Sequence, residues 1–318
     1  MQIAVLIMMH KNPEQVLRLL RWYRTPKTVC FIHVDRKLQI NISEFEKQAK
    51  RIKKEVVVSR ERFSGVLHTW SLVEIPLHLA ECARQYEKDN KMHFSYYQLL
   101  SGQDYPIGKH DAYIKLLEES YPAPFLNLCK RSDEEKFVRL ERIRYSSPRC
   151  VIEDYGKIIT IKRVLFALIH AWEVLITAIV GKPERKLRKQ SIVAGFGAEW
   201  WILPDDIMEV ALQCNRGEGE TRLVKMADIL RNTSTPDETF FQTVFLNSRF
   251  VERELKGNLT HCNFGGRGRV NTGHPYVLEV EDFDTLKYWA ERNHFFARKF
   301  DASVDEKIMD MIDEQIYS

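Results

Sequence analysis

Two adjacent acidic residues in the second half of the chain could do acid–base chemistry. Asp237 and Glu238 follow Pro236 in the segment 236–245, which reads PDETFFQTVF. Thr235 as a cap and Pro236 in the first turn are typical of a helix start, where carboxylates stabilise the positive helix end. A structural role therefore accounts for both acids. A Glu238 carboxylate directed into a cleft could instead act as general base if it reached the proton it removes, and the sequence leaves both roles open.

Two adjacent basic residues lie between aromatic residues near the end of the chain. The segment 295–305 reads FFARKFDASVD and contains Arg298 and Lys299. An arginine that forks onto oxygens and a lysine that acts as a point charge could together clamp a diphosphate. Adjacent basic residues are also common on solvated surfaces. Arg267 and Arg269, in a glycine-rich stretch, allow the same two interpretations.

Polar residues also follow two predicted strands. His33, Asp35 and Arg36 end one strand, and the segment 101–104, which finishes with Asp104, ends a later one. Ligands of parallel sheets bind at the carboxyl ends of strands, where a carboxylate can contact a ribose, a base or a metal. Each aspartate taken alone is more typical of a turn cap. Two of them at strand ends shift the balance toward a binding site.

Several familiar active-site motifs do not occur in the sequence. It contains no GxGxxG after a strand, no GxxxxGK[ST], no HExxH and no GxSxG. The usual evidence for dinucleotide oxidoreductases, P-loop nucleotidases, zinc proteases and α/β-hydrolases is therefore missing.

The elements that must position these residues alternate along the first half of the chain. We predict strands at 3–9, 29–34, 55–59 and 95–100, and helices at 43–52, 68–86 and 111–119. A further helix opens with Asn12 as a cap and Pro13 in the first turn. This is the pattern of βαβ units, so we expect the α/β class with a mostly parallel sheet covered by helices on both faces. In the second half we predict a strand at 200–203 and helices at 205–213, 221–230, 236–246, 284–292 and 304–316.

Composition and charge exclude several classes of protein. The 318 residues are 44% hydrophobic and 29% charged, and 48 Lys+Arg against 44 Asp+Glu leave a net charge of +4. These values disfavour disordered, collagenous and nucleic-acid-binding chains. The six cysteines are scattered without a CxxC pair, which indicates neither a zinc module nor a disulfide framework. With no recognisable export signal, the sequence favours the cytoplasm.

One segment departs from this soluble composition. Residues 164–180 form an apolar run interrupted only by His170, Glu173 and Thr177, and basic residues follow as far as Lys189. As a helix the run would be about 26 Å long, shorter than the hydrocarbon core of roughly 30 Å, so we do not expect it to span a membrane. It could be buried in the protein. It could instead lie in a membrane interface, with segment 164–189 contacting anionic lipid head groups.

Six blocks in collinear order resemble the core-2/I-branching β-1,6-N-acetylglucosaminyltransferase family, glycosyltransferase family 14, which includes xylosyltransferase-like relatives. Their number and order argue against a chance match. The blocks are HVDRK at 33–37, SRERFSGVLHTWSLV at 59–73, LLSGQDYPI at 99–107, GAEWWIL at 197–203, TPDETFFQTVFLNS at 235–248 and FFARKFD at 295–301.

The resemblance implies a GT-A-type fold and an inverting glycosyltransferase that uses a UDP-sugar without a metal ion or other cofactor. In the family the glutamate of the PDE block is the catalytic base, which corresponds to Glu238 in this chain. Lys299, with Arg298 beside it, would neutralise the leaving diphosphate. Positive charge at that place does the work that a metal ion does in other GT-A enzymes.

The same resemblance assigns residues to the donor pocket. His33, Asp35, Ser59 and Arg60 are expected along the uridine pocket, with Asp104 near the donor.

The GAEWW block is expected to border the acceptor, which makes Glu199, Trp200 and Trp201 candidates for contact with a sugar. An aromatic face can stack on a pyranose ring. Either tryptophan could equally be a core residue of a buried strand.

The sequence also departs from the family pattern. Animal members carry a second diphosphate-binding arginine upstream of the lysine, but the segment 271–280 reads NTGHPYVLEV, without arginine. Arg267 or Arg269 could replace it. Animal members also have an N-terminal anchor and disulfides, whereas this sequence begins directly at a predicted strand. We therefore expect a bacterial, cytoplasmic member that could lie peripherally on the inner face of the membrane.

Together these expectations describe one catalytic domain over 1–318, with a nucleotide-sugar-binding half at 1–128 and an acceptor and catalytic half at 129–318. It would move a sugar, N-acetylglucosamine first among the candidates, from a UDP-sugar to a glycan or lipid-linked glycan. A xylosyltransferase-like activity and a non-catalytic nucleotide- or sugar-binding protein on the same fold are the alternatives. The balanced charge argues against nucleic acid as a partner.

Overall fold

The computed structural model describes residues 1–128, 181–265 and 275–317, together with positions 168, 171–172 and 175–179. Its strands are β1 (Ile3–Met9), β2 (Thr28–Val34), β3 (Val56–Val58), β4 (Tyr96–Ser101), β5 (Tyr105–Pro106), β6 (Phe125–Leu126), β7 (Trp201–Pro204), β8 (Thr260–Cys262) and β9 (Phe296–Arg298). Its helices are α1 (Pro13–Leu20), α2 (Ile42–Ile52), α3 (Ser71–Asn90), α4 (His110–Ser120), α5 (Pro183–Lys189), α6 (Asp205–Arg216), α7 (Thr221–Leu230), α8 (Phe240–Asn247), α9 (Phe283–Ala290) and α10 (Lys307–Tyr317).

The central sheet has the strand order β3-β2-β1-β4-β7-β6. β1 pairs in parallel with β2 and with β4, and β2 pairs in parallel with β3. β7 runs antiparallel to both of its neighbours. The prediction of an α/β protein with a mostly parallel sheet is therefore confirmed.

Helices cover both faces of this sheet, as the buried side chains of β1 demonstrate. Its even-numbered residues from Ala4 to Met8 pack into a core with α3, α6, α7 and α8. Its odd-numbered residues from Ile3 to Met9 pack into a second core with α1, α2 and α4. A strand covered on both faces needs an uninterrupted apolar run, which is why this segment has no polar residue.

The strand order places a crevice at the carboxyl ends of β1 and β4. From β1 the chain winds outward through β2 and β3, and then crosses back to the other side of β1 to form β4. The connections on the two sides of β1 therefore lead in opposite directions, which is where open α/β sheets bind ligands. His10 follows β1 at this point, and Gly102 follows β4, where its N–H donates to Met8 O at 2.9 Å.

A smaller sheet brings the predicted basic pair to this crevice. It has the order β5-β9-β8, with β9 parallel to β8 and antiparallel to β5. Its apolar side chains form a third core with α9 and α10. The N–H of Phe300 donates to Gln103 O at 2.8 Å, so the chain just after β9 is attached to the turn after β4.

The helix predicted at 236–246 begins four residues later than expected. Residues 236–239 form a turn in which the N–H groups of Thr239 and Phe240 both donate to Pro236 O, at 3.2 and 2.8 Å. The Thr239 hydroxyl also donates to Thr235 O at 2.8 Å, which tightens this turn before α8 starts. The predicted helix start at Pro236 was therefore wrong, and Glu238 lies in the turn.

The Asn12–Pro13 pair does start a helix, but Asn12 does not cap it. Asn12 has φ 48° and ψ 63°, and its side chain makes no capping hydrogen bond to α1. The side-chain amide instead donates to Asp301 Oδ1 at 2.7 Å. A contact nearly three hundred residues away in sequence has thus replaced the predicted local one.

Most of the apolar run 164–180 lies outside the described residues, including His170 and Glu173, and so do Arg267 and Arg269. The described positions of this run are helical. Leu168, Trp172, Leu175 and Ile179 are 62, 51, 52 and 74% exposed, and their spacing of four, three and four places them on one helix face. Within the described residues, no helix has both the length and the apolar character needed to cross a membrane.

Candidate active site

A buried arginine joins several of the predicted site residues. Arg298, at the end of β9, is only 8% exposed. Its Nε lies 3.4 Å from Asp104 Oδ1, and its Nη1 lies 4.0 Å from Glu199 Oε2. Its guanidinium carbon lies 3.8 Å from the centre of the Trp200 ring, which is cation–π geometry. The predicted donor residues Arg298 and Asp104 are thus next to the predicted acceptor residues Glu199 and Trp200.

Besides its contact with Arg298, Asp104 makes a hydrogen bond that has a structural role. Its Oδ2 accepts a hydrogen bond from the Ser101 N–H at 2.6 Å, which closes the turn after β4. Its side chain is completely buried. Burial raises the pKa of Asp104, and the positive charge of Arg298 opposes this rise.

A backbone contact holds the GAEWW and PDE blocks together. The N–H of Gly197 donates to Glu238 O at 2.9 Å. A Cβ on Gly197 would lie 1.7 Å from Asn127 O, so only glycine permits this close approach. The Gly197–Glu238 hydrogen bond brings the Glu199 segment next to Asp237 and Glu238, and the three carboxyl groups form one acidic group.

The carboxyl groups of this acidic group influence one another. Burial raises the pKa of Glu199 to about 7; Arg298 opposes the rise, while Asp104 and Glu238 add to it. Burial, followed by the charges of Glu199 and Glu238, raises the pKa of Asp237 well above its ordinary value. Low dielectric and neighbouring negative charge both favour the protonated form, so this region readily accepts protons.

Two predicted donor residues at the end of β2, His33 and Asp35, make hydrogen bonds to the loop between β3 and α3. His33 is 1% exposed, and its Nε2 accepts a hydrogen bond from the Phe63 N–H at 2.9 Å. Burial lowers the pKa of His33 to about 4, so the ring is neutral and carries its proton on Nδ1. The oxygens of Asp35 accept from the N–H groups of Gly65 and Lys37, at 2.7 and 2.8 Å.

Ser59 and Arg60 differ in their placement. Ser59 is buried, and its hydroxyl donates to Glu61 O at 2.8 Å. Arg60 is exposed and pairs with Glu46 of α2. The arginine of this block that contacts the end of β2 is Arg62, whose Nε donates to Val34 O at 3.0 Å. The structure does not bring Arg60 to Asp35, and its donor role stays a prediction.

The two adjacent tryptophans also have different environments. Trp200 packs against Arg298, whereas Trp201 on β7 is 2% exposed and lies 4.4 Å from the Phe241 ring, centre to centre. Trp201 belongs to the core formed with α3, α6, α7 and α8. Trp200 is 4% exposed and belongs to the same core, so of the two alternatives that the sequence left open, the core role fits both tryptophans.

Sequence reasoning missed His10 and Lys11, which directly follow β1. Lys11 Nζ forms an ion pair with Asp301 Oδ2 at 2.6 Å. Burial and the charge of Lys11 lower the pKa of His10, whereas Asp35 opposes this effect. Burial, Arg298 and Lys11 likewise lower the pKa of Lys299. The available signal was their position directly after the first buried strand, because ligands bind at the carboxyl ends of parallel strands.

Within the described ranges, no three His, Cys, Asp or Glu side chains are arranged to hold a metal ion. A separate cavity of about 730 Å³ is lined by residues of α3, α6 and α7, and none of the predicted site residues lines it.

The pKa of Glu199 predicts how stability changes with pH. Its folded-state pKa is about 7, above the ordinary value of 4.5, so the folded protein retains a proton that the unfolded chain releases. Stability is therefore lost as pH rises between these values. We expect the stability of Glu199→Gln relative to the wild type to increase as pH rises from about 5 to about 8, by about 2 kcal/mol over that range.

Thermal melts at several pH values measure this difference. The control is Glu254→Gln, which changes an exposed glutamate paired with Lys256. Its stability relative to the wild type should not change with pH. A Glu199→Gln difference that is constant or shrinks with rising pH would contradict the assigned burial of this carboxyl.

Comparisons with known proteins show which family the chain belongs to. The family model described as Branch: Core-2/I-Branching enzyme matches residues 3–287. "Xylosyltransferase oxt" of Drosophila melanogaster is 23% identical over 319 residues, which cover 96% of this chain and 32% of that protein. "Xylosyltransferase" of Ciona intestinalis and "Xylosyltransferase 2" of Rattus norvegicus are each 22% identical, over 99% of this chain and 34% of theirs. The chain thus spans about a third of the length of these relatives. Because the family model covers most of the chain, the protein belongs to the Core-2/I-Branching enzyme family of glycosyltransferases.

Proposed function

We propose that this protein is an inverting glycosyltransferase that moves a sugar from a UDP-sugar to a hydroxyl group of a glycan or lipid-linked glycan, without a metal ion. The observation that carries the proposal is the meeting of opposite charges at one place. Arg298 comes from β9 of the small sheet, and Glu199 and Glu238 come from two segments joined by the Gly197 N–H bond. A transferase of this kind needs both a proton acceptor and positive charge for its leaving group.

Glu238 is proposed as the general base. Its carboxylate would take the proton from the acceptor hydroxyl while that oxygen attacks the anomeric carbon from the face opposite UDP. One carbon–oxygen bond forms as the bond to the diphosphate breaks, so the configuration inverts. The support is local: the backbone of Glu238 is fixed by Gly197, and its charge acts on both Glu199 and Asp237.

Arg298 and Lys299 are proposed to stabilise the negative charge that develops on the departing diphosphate. Arg298 is held against Trp200 by the fold itself, so little reorganisation is needed. Lys299 is half-buried beside Arg298 and Lys11, and like charges this close favour an anion between them. Fixed cations would supply the charge that a bound metal ion provides in other enzymes of this chemistry.

The donor sugar has two candidates. The family description and the sequence blocks favour N-acetylglucosamine, whereas the names of the similar proteins favour xylose. Incubation with UDP-N-acetylglucosamine and UDP-xylose, with UDP release as the readout, separates them. A chain that binds UDP but turns over neither these nor other UDP-sugars would instead be a non-catalytic nucleotide-binding protein.

Replacing the base should stop transfer without preventing binding. We expect Glu238→Gln to lower kcat by about a thousandfold, within the range for loss of a general base, while the Kd for UDP changes little. The measurements are UDP release and calorimetric UDP binding. Glu254→Gln, at an exposed position, is the matched control and should keep full activity. Near-normal turnover of Glu238→Gln would show that another group is the base.

Chelation tests the proposed independence from metal. Since Arg298 and Lys299 are proposed to supply the positive charge, we expect the initial rate to be unchanged in excess EDTA. Addition of Mg²⁺ or Mn²⁺ should then raise it by less than about twofold. A rate that disappears with EDTA and returns with Mn²⁺ would refute this part of the proposal.

We also propose that the acceptor is lipid-linked and that the protein works peripherally at the cytoplasmic face of a membrane. Leu168, Trp172, Leu175 and Ile179 present an exposed apolar face. Exposed basic side chains follow directly in and before α5, at Lys182, Arg185, Arg188 and Lys189. An apolar face flanked by positive charge fits a bilayer that carries anionic head groups.

Vesicle binding tests this contact. We expect sedimentation with vesicles that contain phosphatidylglycerol, weaker binding at high salt, and a loss of about tenfold for Trp172→Ser, because an apolar side chain no longer enters the bilayer. Leu67→Ser is the control, since Leu67 is 56% exposed and lies outside this helix. Equal vesicle binding of the wild type and Trp172→Ser would contradict the proposed membrane contact.

A further inference from the structure

A buried carboxylate two residues after Lys299 joins the beginning of the chain to its end. Asp301 is 7% exposed. Its Oδ2 accepts from Lys11 Nζ at 2.6 Å, and its Oδ1 accepts from Asn12 Nδ2 at 2.7 Å. Oδ1 also accepts from the hydroxyl of Ser303 at 2.6 Å. Although burial opposes it, these donors hold the pKa of Asp301 below its ordinary value, so the group stays ionised.

Gln15 of α1 fixes the backbone on both sides of Asp301. Its side chain is buried; Nε2 donates to Gly102 O at 2.8 Å and to Phe300 O at 3.2 Å. Its Oε1 accepts from the Ala302 N–H at 3.0 Å. We refer to Lys11, Asn12, Gln15 and Asp301 as the latch.

The latch determines where the residues before it can lie. Lys299 is separated from Asp301 by one residue, Phe300, whose N–H and C=O are both hydrogen-bonded, to Gln103 and to Gln15. The latch therefore connects Lys299 to the crevice at the carboxyl ends of β1 and β4. Ion pairs at buried positions rarely add much stability, because desolvation offsets the attraction. The clearer effect of such a pair is to hold its side chains, here those of Lys11 and Asp301, in one geometry.

The latch also keeps like charges close together. Lys11 and Arg298 both lower the pKa of Lys299, so the three cations repel one another. Asp301 neutralises Lys11 and holds its ammonium at a defined place. Loss of the carboxylate would release Lys11 and let Lys299 move away from the other cations.

We propose that Asp301 is a positioning residue: through its bonds to Lys11 and Asn12, and beside the backbone that Gln15 fixes, it holds Lys299 against the sugar-linked phosphate of a nucleoside diphosphate. The inference rests on the proposed function, because it requires a nucleoside-diphosphate donor. It adds that the latch provides the discrimination between a diphosphate and a monophosphate. Uridine and the first phosphate bind through other residues, so their affinity does not depend on the latch.

The test compares the Kd values of uridine, UMP and UDP for the full chain by calorimetry. The wild type should bind UDP more tightly than UMP. We expect Asp301→Asn to weaken UDP binding by about tenfold, because charge-assisted hydrogen bonds are lost, while uridine and UMP change by less than about twofold. Asn12→Ala should weaken UDP less, because the Lys11–Asp301 pair remains. Lys11→Arg should retain most of the UDP preference.

The control is Asp310→Asn. It removes an exposed carboxylate on α10 that pairs with Arg18 of α1, and it should leave the Kd values of uridine, UMP and UDP unchanged. If Asp301→Asn weakens uridine, UMP and UDP alike, or leaves the UDP-to-UMP ratio unchanged, the latch is only structural and the inference is overturned. A wild type that binds UDP no better than UMP overturns both the inference and the proposed function. The wild-type ratio thus separates the two failures.

Discussion

The architecture of this protein depends on the burial of one positive charge. A guanidinium group removed from water costs several kcal/mol unless it is paired and hydrogen-bonded. Arg298 offsets part of this cost through ion pairs with Asp104 after β4 and Glu199 before β7 and through the face of Trp200, although its Nε has no hydrogen-bond partner among the described residues. Each partner belongs to the central sheet or its connections, whereas Arg298 belongs to the small sheet. The charge therefore holds the two sheets in one relative position.

The same burial explains why the nearby carboxyl groups have raised proton affinity. Arg298 and Lys299 carry two positive charges, but Asp104, Glu199, Asp237 and Glu238 bring up to four negative ones. Two cations cannot balance all of these in a medium of low dielectric, so protonation of one of the carboxyl groups lowers the repulsion. Burial is the main cause of the raised pKa of Glu199 and of Asp237, and the neighbouring negative charges add to it. A site with such an excess of negative charge is suited to remove a proton from a neutral hydroxyl.

Sequence patterns predicted the large elements well, because long apolar runs and helical periodicity are local properties. The parallel strands β1, β2 and β4 and helices such as α7 lie close to their predicted places. β5 and β6 have two residues each, and β8 and β9 have three, which is too short for a period of two to be recognised. The small sheet that carries Arg298 was therefore not predicted. The turn at 236–239 was predicted as helix because proline followed by acidic residues is favoured at helix starts, while proline is favoured in turns as well.

Asp104 is a case in which the sequence context predicts a local contact correctly. It caps a turn with Oδ2 and also faces Arg298 with Oδ1. The turn-capping interpretation of that aspartate therefore fits the structure, and its role toward the donor stays a prediction. Asn12 shows the opposite case: its sequence context predicts a helix cap, yet its amide is used by Asp301 near the other end of the chain. No local pattern contains that information, because the partner is fixed by the path of β9 and not by the residues around Asn12. For a polar residue after a buried strand, the partner of its side chain therefore depends first on which distant segment the fold places next to that strand end.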